Sequence, residues 1–347
     1  MTRKRRSSVL LVLVLVAFLV SACGPKDLVS LARVDGSELY LADKYGNKVR
    51  IADGTGFLQA LKKAKAVSNP EDAPSETMAD YILISNDQKI YYDALGKYLI
   101  YVDKNQKKNV YTGDLTDLIS SVPGLPPLVK EKSIEDPEVS SWLADFSKTE
   151  EASAILFEDE GDSSLLVTAG EKPTAGYALA LEKVSLDPSG VVVLKIRVTA
   201  PQGPATGTLS YPILELTVAG NPEIEVQLVS ATKSGESIEH VRLARARKDQ
   251  KIIALRPERG SLVTEVVQMA GFAKLPMDSF SVSVEDGHNV LGTKTIVLSG
   301  NDSQWRHFEF SMGLQPASSP NGTVVFSWKN DDGTTEELFV PISFGGK

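Results

Sequence analysis

A single cysteine, Cys23, stands in a chain of 347 residues, and histidine occurs only three times. One thiol excludes a disulfide within the chain, so the fold has to rest on its apolar cores. The histidines, His240, His288 and His307, lie far apart, and none sits in a His-Glu-x-x-His or other metal-ligand spacing. There is no Gly-x-Ser-x-Gly elbow and no glycine-rich phosphate loop. No catalytic residue, metal or cofactor is therefore expected, and the chain does not read as an enzyme. Positive charge is also short, with 37 Lys+Arg against 45 Asp+Glu and a net charge of −8, which makes nucleic acid a poor partner. Apolar runs of membrane-spanning length are missing, because residues 9–20 supply about a dozen where a span needs about 20.

That short run has a specific setting. Arg3, Lys4, Arg5 and Arg6 precede it, and Ser21-Ala22 follows it immediately before Cys23. A basic start, a short apolar stretch and small residues at a cleavage point form an export signal, read here as residues 1–22. Val20-Ser21-Ala22-Cys23 resembles the lipobox of bacterial lipoproteins. The resemblance implies that the Cys23 sulfur receives a diacylglyceryl group and that the signal is cut just before it. Two acyl chains hold a protein stably where one holds it marginally, at about 0.8 kcal/mol per buried methylene. The expected location is outside the cytoplasm, on the bacterial cell membrane. Removing the signal leaves 33 Lys+Arg against 45 Asp+Glu, a charge of −12, so attachment to the bilayer is assigned to the lipid on Cys23.

Composition, at 42% hydrophobic and 24% charged, is that of a folded body, and its length allows two or three domains. The fold class expected is mostly β and multidomain: a small α+β domain, a central antiparallel β domain and a C-terminal immunoglobulin-like sandwich. Residues 23–29 form a lipidated spacer. Residues 30–121 read as the α+β domain, with strands near 37–42, 48–51, 81–85, 89–93 and 97–102 and a helix in which Phe57, Leu58, Leu61 and Ala64 share a face. Tyr91, Tyr92, Tyr98, Tyr101 and Tyr111 gather there, either as a binding surface or as ordinary cross-strand packing. Residues 122–151 read as a linker with a short helix near Trp142. The acidic turn at 158–163 lacks EF-hand ligand spacing and reads as solvated.

Residues 152–219 form the central β domain. Its distinctive stretch is Lys172-Pro173-Thr174 followed by Gly176-Tyr177, then a hairpin turning at 187–190, then Tyr211-Pro212 before the last strand. This succession resembles the C-terminal domain of the PrcB family of protease-complex subunits, with Ala175 in place of a glycine. The resemblance implies an accessory subunit that steadies a surface protease without protease chemistry of its own. The loop carrying Lys172, Pro173, Thr174, Gly176 and Tyr177 is the candidate partner-binding site; equally, Gly176 and Pro173 suit a tight β corner. Residues 220–254 read as a β extension and basic linker. Arg242, Arg245, Arg247 and Lys248 there form a candidate basic patch, either for an anionic partner or as a solvated strand edge.

From 255 to 347 the apolar residues recur at period two: Phe280, Val282, Val284; Phe308, Phe310, Met312; Val324, Phe326, Trp328; Leu338, Val340, Ile342. Half-buried strands alternate this way. Asp332-Gly333 suits the last hairpin, and Trp305 and Trp328 are candidate core aromatics. Gly271-Phe272, Asp286-Gly287, residues 305–310 and residues 322–326 resemble the immunoglobulin-like domain of bacterial spore germination proteins. The function expected is a lipid-anchored surface scaffold that binds or stabilises an exported protein, a protease complex in the PrcB reading. The alternative is a lipoprotein that binds cell wall, glycan or spore envelope.

Overall fold

The computed structural model describes residues 27–132, 149, 151–158, 161–203, 207–247, 250–300 and 305–345. The chain is 53% strand and 9% helix, and it divides into two compact units at Pro126 and Pro127. Cys23, Lys248 and the segment around Trp142 lie outside the described residues.

In the first unit, helix α1 (Leu28–Ala32) is capped by Asp27, whose carboxylate accepts the Ser30 N–H at 2.9 Å. Seven strands form one sheet: β1 (Leu39–Asp43), β2 (Lys48–Arg50), β3 (Lys65–Ala66), β4 (Tyr81–Ser85), β5 (Gln88–Asp93), β6 (Tyr98–Val102) and β7 (Lys108–Thr112). The order is β2-β1-β4-β5-β6-β7-β3, every pair antiparallel. Helix α2 (Thr55–Lys63) buries Phe57 and Leu61, and Lys62 and Lys63 end it where cations suit the helix dipole. Short helix α3 (Thr116–Ser120) follows β7. The tyrosines pack across strands. Tyr92, Tyr101 and Tyr111 are buried, and the Tyr92 hydroxyl accepts the Leu115 N–H at 3.1 Å. Ordinary packing accounts for them.

The second unit holds an eight-stranded sheet packed on a sandwich of two further sheets. The eight strands are β8 (Val129–Glu131), β9 (Ser153–Glu158), β10 (Asp162–Thr168), β11 (Ala178–Leu186), β12 (Val192–Thr199), β13 (Ile213–Ala219), β14 (Ile224–Thr232) and β15 (Gly235–Arg247), in the order β11-β12-β14-β15-β9-β10-β13-β8. β15 joins the two halves: its first seven residues pair antiparallel with β14, and residues 242–247 pair in parallel with β9. β12 and β14 are also parallel, because the chain visits β13 in the other half between them. The end strands approach each other through a side chain, the Leu181 N–H donating to Glu131 Oε1 at 2.5 Å. Residues 224–247, expected as an extension and basic linker, are thus two long strands of this sheet, and residues 129–131, expected as linker, are its edge strand.

The remaining strands, β16 (Ile252–Arg256), β17 (Leu262–Val263), β18 (Val266–Ala273), β19 (Ser279–Glu285), β20 (Val290–Val297), β21 (Arg306–Gly313), β22 (Asn321–Lys329) and β23 (Thr335–Phe344), form a sandwich of β16-β18-β21 against β17-β23-β22-β19-β20. The first strand serves one sheet and its continuation, β17, runs parallel to the last strand in the other, the connectivity of an immunoglobulin-like sandwich. Met269, Phe308 and Met312 face Phe280, Phe326 and Val340 in its core, and Trp305 and Trp328 are both buried. At the β18 to β16 crossing a side chain on Gly271 would lie 2.1 Å from the Ile253 carbonyl, so the two backbones approach as only glycine permits.

A second apolar cluster locks the layers together. Ile155, Leu166, Ala244 and Ala246 of the eight-stranded sheet pack with Ile253, Leu255, Phe272 and Trp305. The second half of β10 accordingly has no wet face: Leu165, Leu166, Val167 and Thr168 are all buried. A strand covered on both sides reads as an unbroken apolar run.

Candidate interaction surfaces

The loop at 170–177 leaves β10 and enters β11. Gly170 (φ 71°) and Gly176 (φ 94°) both sit in the left-handed region, and a Cβ on Gly176 would meet Pro201 Cβ at 2.9 Å. The loop is pinned from below. The Lys172 N–H donates to Ser210 O at 2.8 Å, and the Ser210 N–H returns to Lys172 O at 3.0 Å. The Ser210 hydroxyl donates to Thr174 O at 2.5 Å, Tyr211 OH to Glu171 Oε2 at 2.9 Å, and Lys172 Nζ to Ala169 O at 2.6 Å. Pro173, Ala175 and Gly176 are exposed at the crest; Lys172, Thr174 and Tyr177 are half-buried. The arrangement is a hydrogen-bonded, solvent-facing crest whose backbone is held by the segment before Tyr211-Pro212. Glu171 and Ser210, which do the holding, carried no sequence signal of their own.

At the neighbouring hairpin the Ser189 hydroxyl and the Val191 N–H hold the Asp187 carboxyl below the usual carboxylate range. The turn is fixed in shape by the same hydrogen bonds.

The basic stretch lies on β15 and borders a cleft of about 840 Å³ between the eight-stranded sheet and the sandwich. Arg242, Arg245 and Arg247 line it together with Glu158, Glu223 and Glu258. Arg245 pairs with Glu158 at 2.9 Å and with Glu223 at 3.3 Å, and it donates to Pro222 O at 2.7 Å. Arg242 lies 3.4 Å from both Glu151 and Glu258, and Arg256 reaches Glu151 at 3.2 Å. The guanidinium groups of Arg242 and Arg245 are thus spent on carboxylates of their own unit: Arg245 ties β15 to β9 and to the residues before β14 within one sheet, and the Arg242–Glu258 pair reaches across to the sandwich. Arg247 belongs to the same wall.

Two buried polar groups set the far side of the sandwich. Arg306, 3% exposed, donates to Asp278, Leu275 O and Met277 O at 2.9, 2.7 and 2.8 Å. Asp286, 2% exposed, accepts the Ser318 hydroxyl and N–H, both at 2.7 Å, and its carboxyl is held well below its usual range mainly by that hydroxyl. Both close loops against the core. Among the described residues no group of His, Cys, Asp or Glu is arranged to hold a metal ion.

Compared with known proteins, residues 164–219 match the family model described as PrcB C-terminal. The match runs from β10 through the loop and the β11–β12 hairpin to the end of β13, so the PrcB likeness read from Lys172-Pro173-Thr174, Gly176-Tyr177 and Tyr211-Pro212 is borne out over that segment. No curated protein matches the chain. Among solved structures it is similar to the crystal structure of dimeric latent PorU from Porphyromonas gingivalis, at 9% identity and a TM-score of 0.22, with 89% of this chain and 30% of that one covered. The chain therefore spans less than a third of that protein, and a likeness at this TM-score carries no argument.

Proposed function

We propose that this protein is a lipid-anchored surface accessory that binds and steadies an exported partner, a protease complex in the first instance, and that it carries no catalysis of its own. The observation that carries the proposal is the PrcB C-terminal match at residues 164–219, which falls on the segment with an ordered, solvent-facing crest. Pre-organisation favours recognition because the loop loses little freedom on binding. The Cys23 lipobox supports the anchor, and the lack of a nucleophile or metal-ligand constellation in the sequence supports an accessory role.

Capture from native membranes tests both parts. The wild-type protein should sediment with the membrane and bring down an exported peptidase; Cys23→Ser should be released or remain unprocessed. Retention on cell wall without any protein partner would favour wall or glycan binding.

A further inference from the structure

We infer that the lysine-bearing end of the first unit, formed by Lys62, Lys63 and Lys65, seats that unit on an anionic lipid surface. The inference rests on the anchored reading of Cys23 and adds a second contact, one made by the folded body. From Cys23 to Leu28 is five residues, so even a fully extended chain, at about 3.3–3.6 Å per residue, keeps Leu28 within roughly 17 Å of the lipid. The start of α1 is therefore held close to the bilayer in the anchored protein.

The lysines lie at that same end. Lys62 and Lys63 close α2, which packs against α1, and Lys65 follows on β3. β3 pairs with β7, setting Lys65 opposite Thr112 and Ala66 opposite Tyr111. The carboxylate of Asp27, the cap of α1, is close enough to feel Lys62 and to act in turn on the Tyr111 phenol. All three lysines are exposed. Lys44 pairs with Asp80 and Lys97 with Asp114, whereas Lys62, Lys63 and Lys65 make no ion pair among the described residues, and the interaction of Lys62 with Asp27 acts through space without a contact pair.

Charge also differs between the two parts of the chain. Residues 27–126 carry 12 Lys+Arg against 14 Asp+Glu, whereas residues 127–347 carry 20 against 31. The unit next to the tether is nearly neutral, and most of the negative charge belongs to the rest. Each cation near an anionic surface contributes enough that three bias a tethered body by roughly a hundredfold, although they would not retain a free one.

The test uses the mature chain from Cys23, whose single thiol allows coupling to a maleimide lipid in vesicles. One set is phosphatidylcholine alone, and the other an equal mixture of phosphatidylcholine and phosphatidylglycerol. Lysine acetylation is followed by mass spectrometry. On the anionic vesicles Lys62, Lys63 and Lys65 should react several-fold more slowly than on the neutral ones, with the difference lost in high salt, while Lys183 and Lys195 react alike on both. Equal rates at the three lysines on the two vesicle types would overturn the inference. Coupling supplies the tether chemically, so this result is independent of native lipidation, which the Cys23→Ser release experiment reads separately.

Discussion

Gly176 and its neighbours divide the loop into residues that shape it and residues that cover it. A side chain at φ 94° is strained, and here it also meets Pro201. Gly176→Ala should therefore lower stability by about 1–2 kcal/mol, against the gain of up to ~1 kcal/mol that the same change brings at a permissive site. Lys172→Ala removes one hydrogen bond and leaves the backbone pair with Ser210 in place, so its cost should stay at about 1 kcal/mol. Urea melts compare the two, with partner capture measured on folded protein. Equal losses of stability, with capture following only the folded fraction, would make the loop a corner and nothing more. Arg306→Met should cost about 3 kcal/mol, because the buried Leu275 carbonyl and the partly buried Met277 carbonyl lose their donor; a near-neutral melt would show that water replaces the guanidinium. Gly176 and Pro173 were legible in the sequence because a turn demands their backbone angles. Glu131, Glu151 and Ser210 were not, since their partners lie 35 or more residues away.

At the scale of elements, the second unit depends on the apolar cluster between its layers. Leu166, fully buried, should cost about 2–5 kcal/mol on change to alanine. Combined with Phe272→Leu, it should show a coupling of at least ~0.5 kcal/mol, because both side chains line the same cluster. Calorimetry should then find the eight-stranded sheet and the sandwich melting in one transition. Separate transitions with additive mutational effects would mean that the layers are independent. The sandwich strands were legible because one face is wet and the alternation survives, and the hairpin at Asp332-Gly333, with Gly333 at φ 82°, was legible from its turn residues. β9 and β10 were legible as strands but not as strands with two dry faces. The parallel pairing of β15 with β9 left no mark on periodicity, which is why Arg242 and Arg245 read as an open basic stretch when they are paired wall residues.

For the whole molecule, stability should fall with acid in two stages. His307 is exposed as a residue, but its ring lies 5.3 Å from that of Phe272 and is partly desolvated, which lowers its pKa, with Glu309 opposing the effect and Arg256 adding to it. The unfolded chain therefore takes that proton first, and the contribution of neutral His307, complete above about pH 6.5, is lost as pH falls below it. Asp27, Asp187 and Asp286 are held below the usual range by the hydroxyls of Ser30, Ser189 and Ser318, and Asp35 by the Ser37 N–H. Their contribution is present above about pH 4 and is lost below it. Melting temperature should thus decline slightly near pH 6 and again under pH 4, and His307→Gln should abolish the first step alone. A melting temperature that stays level or rises on acidification would contradict both signs. Contact between the PrcB-like segment and an exported partner is read directly by a photo-cross-linking residue placed at Ala175, on the exposed crest, in the anchored protein in living cells. An adduct should form with one exported protein, a peptidase or its complex, and be absent when the same residue is placed at exposed Lys183. Adducts at neither position, or equal and unselective adducts at both, would contradict that contact.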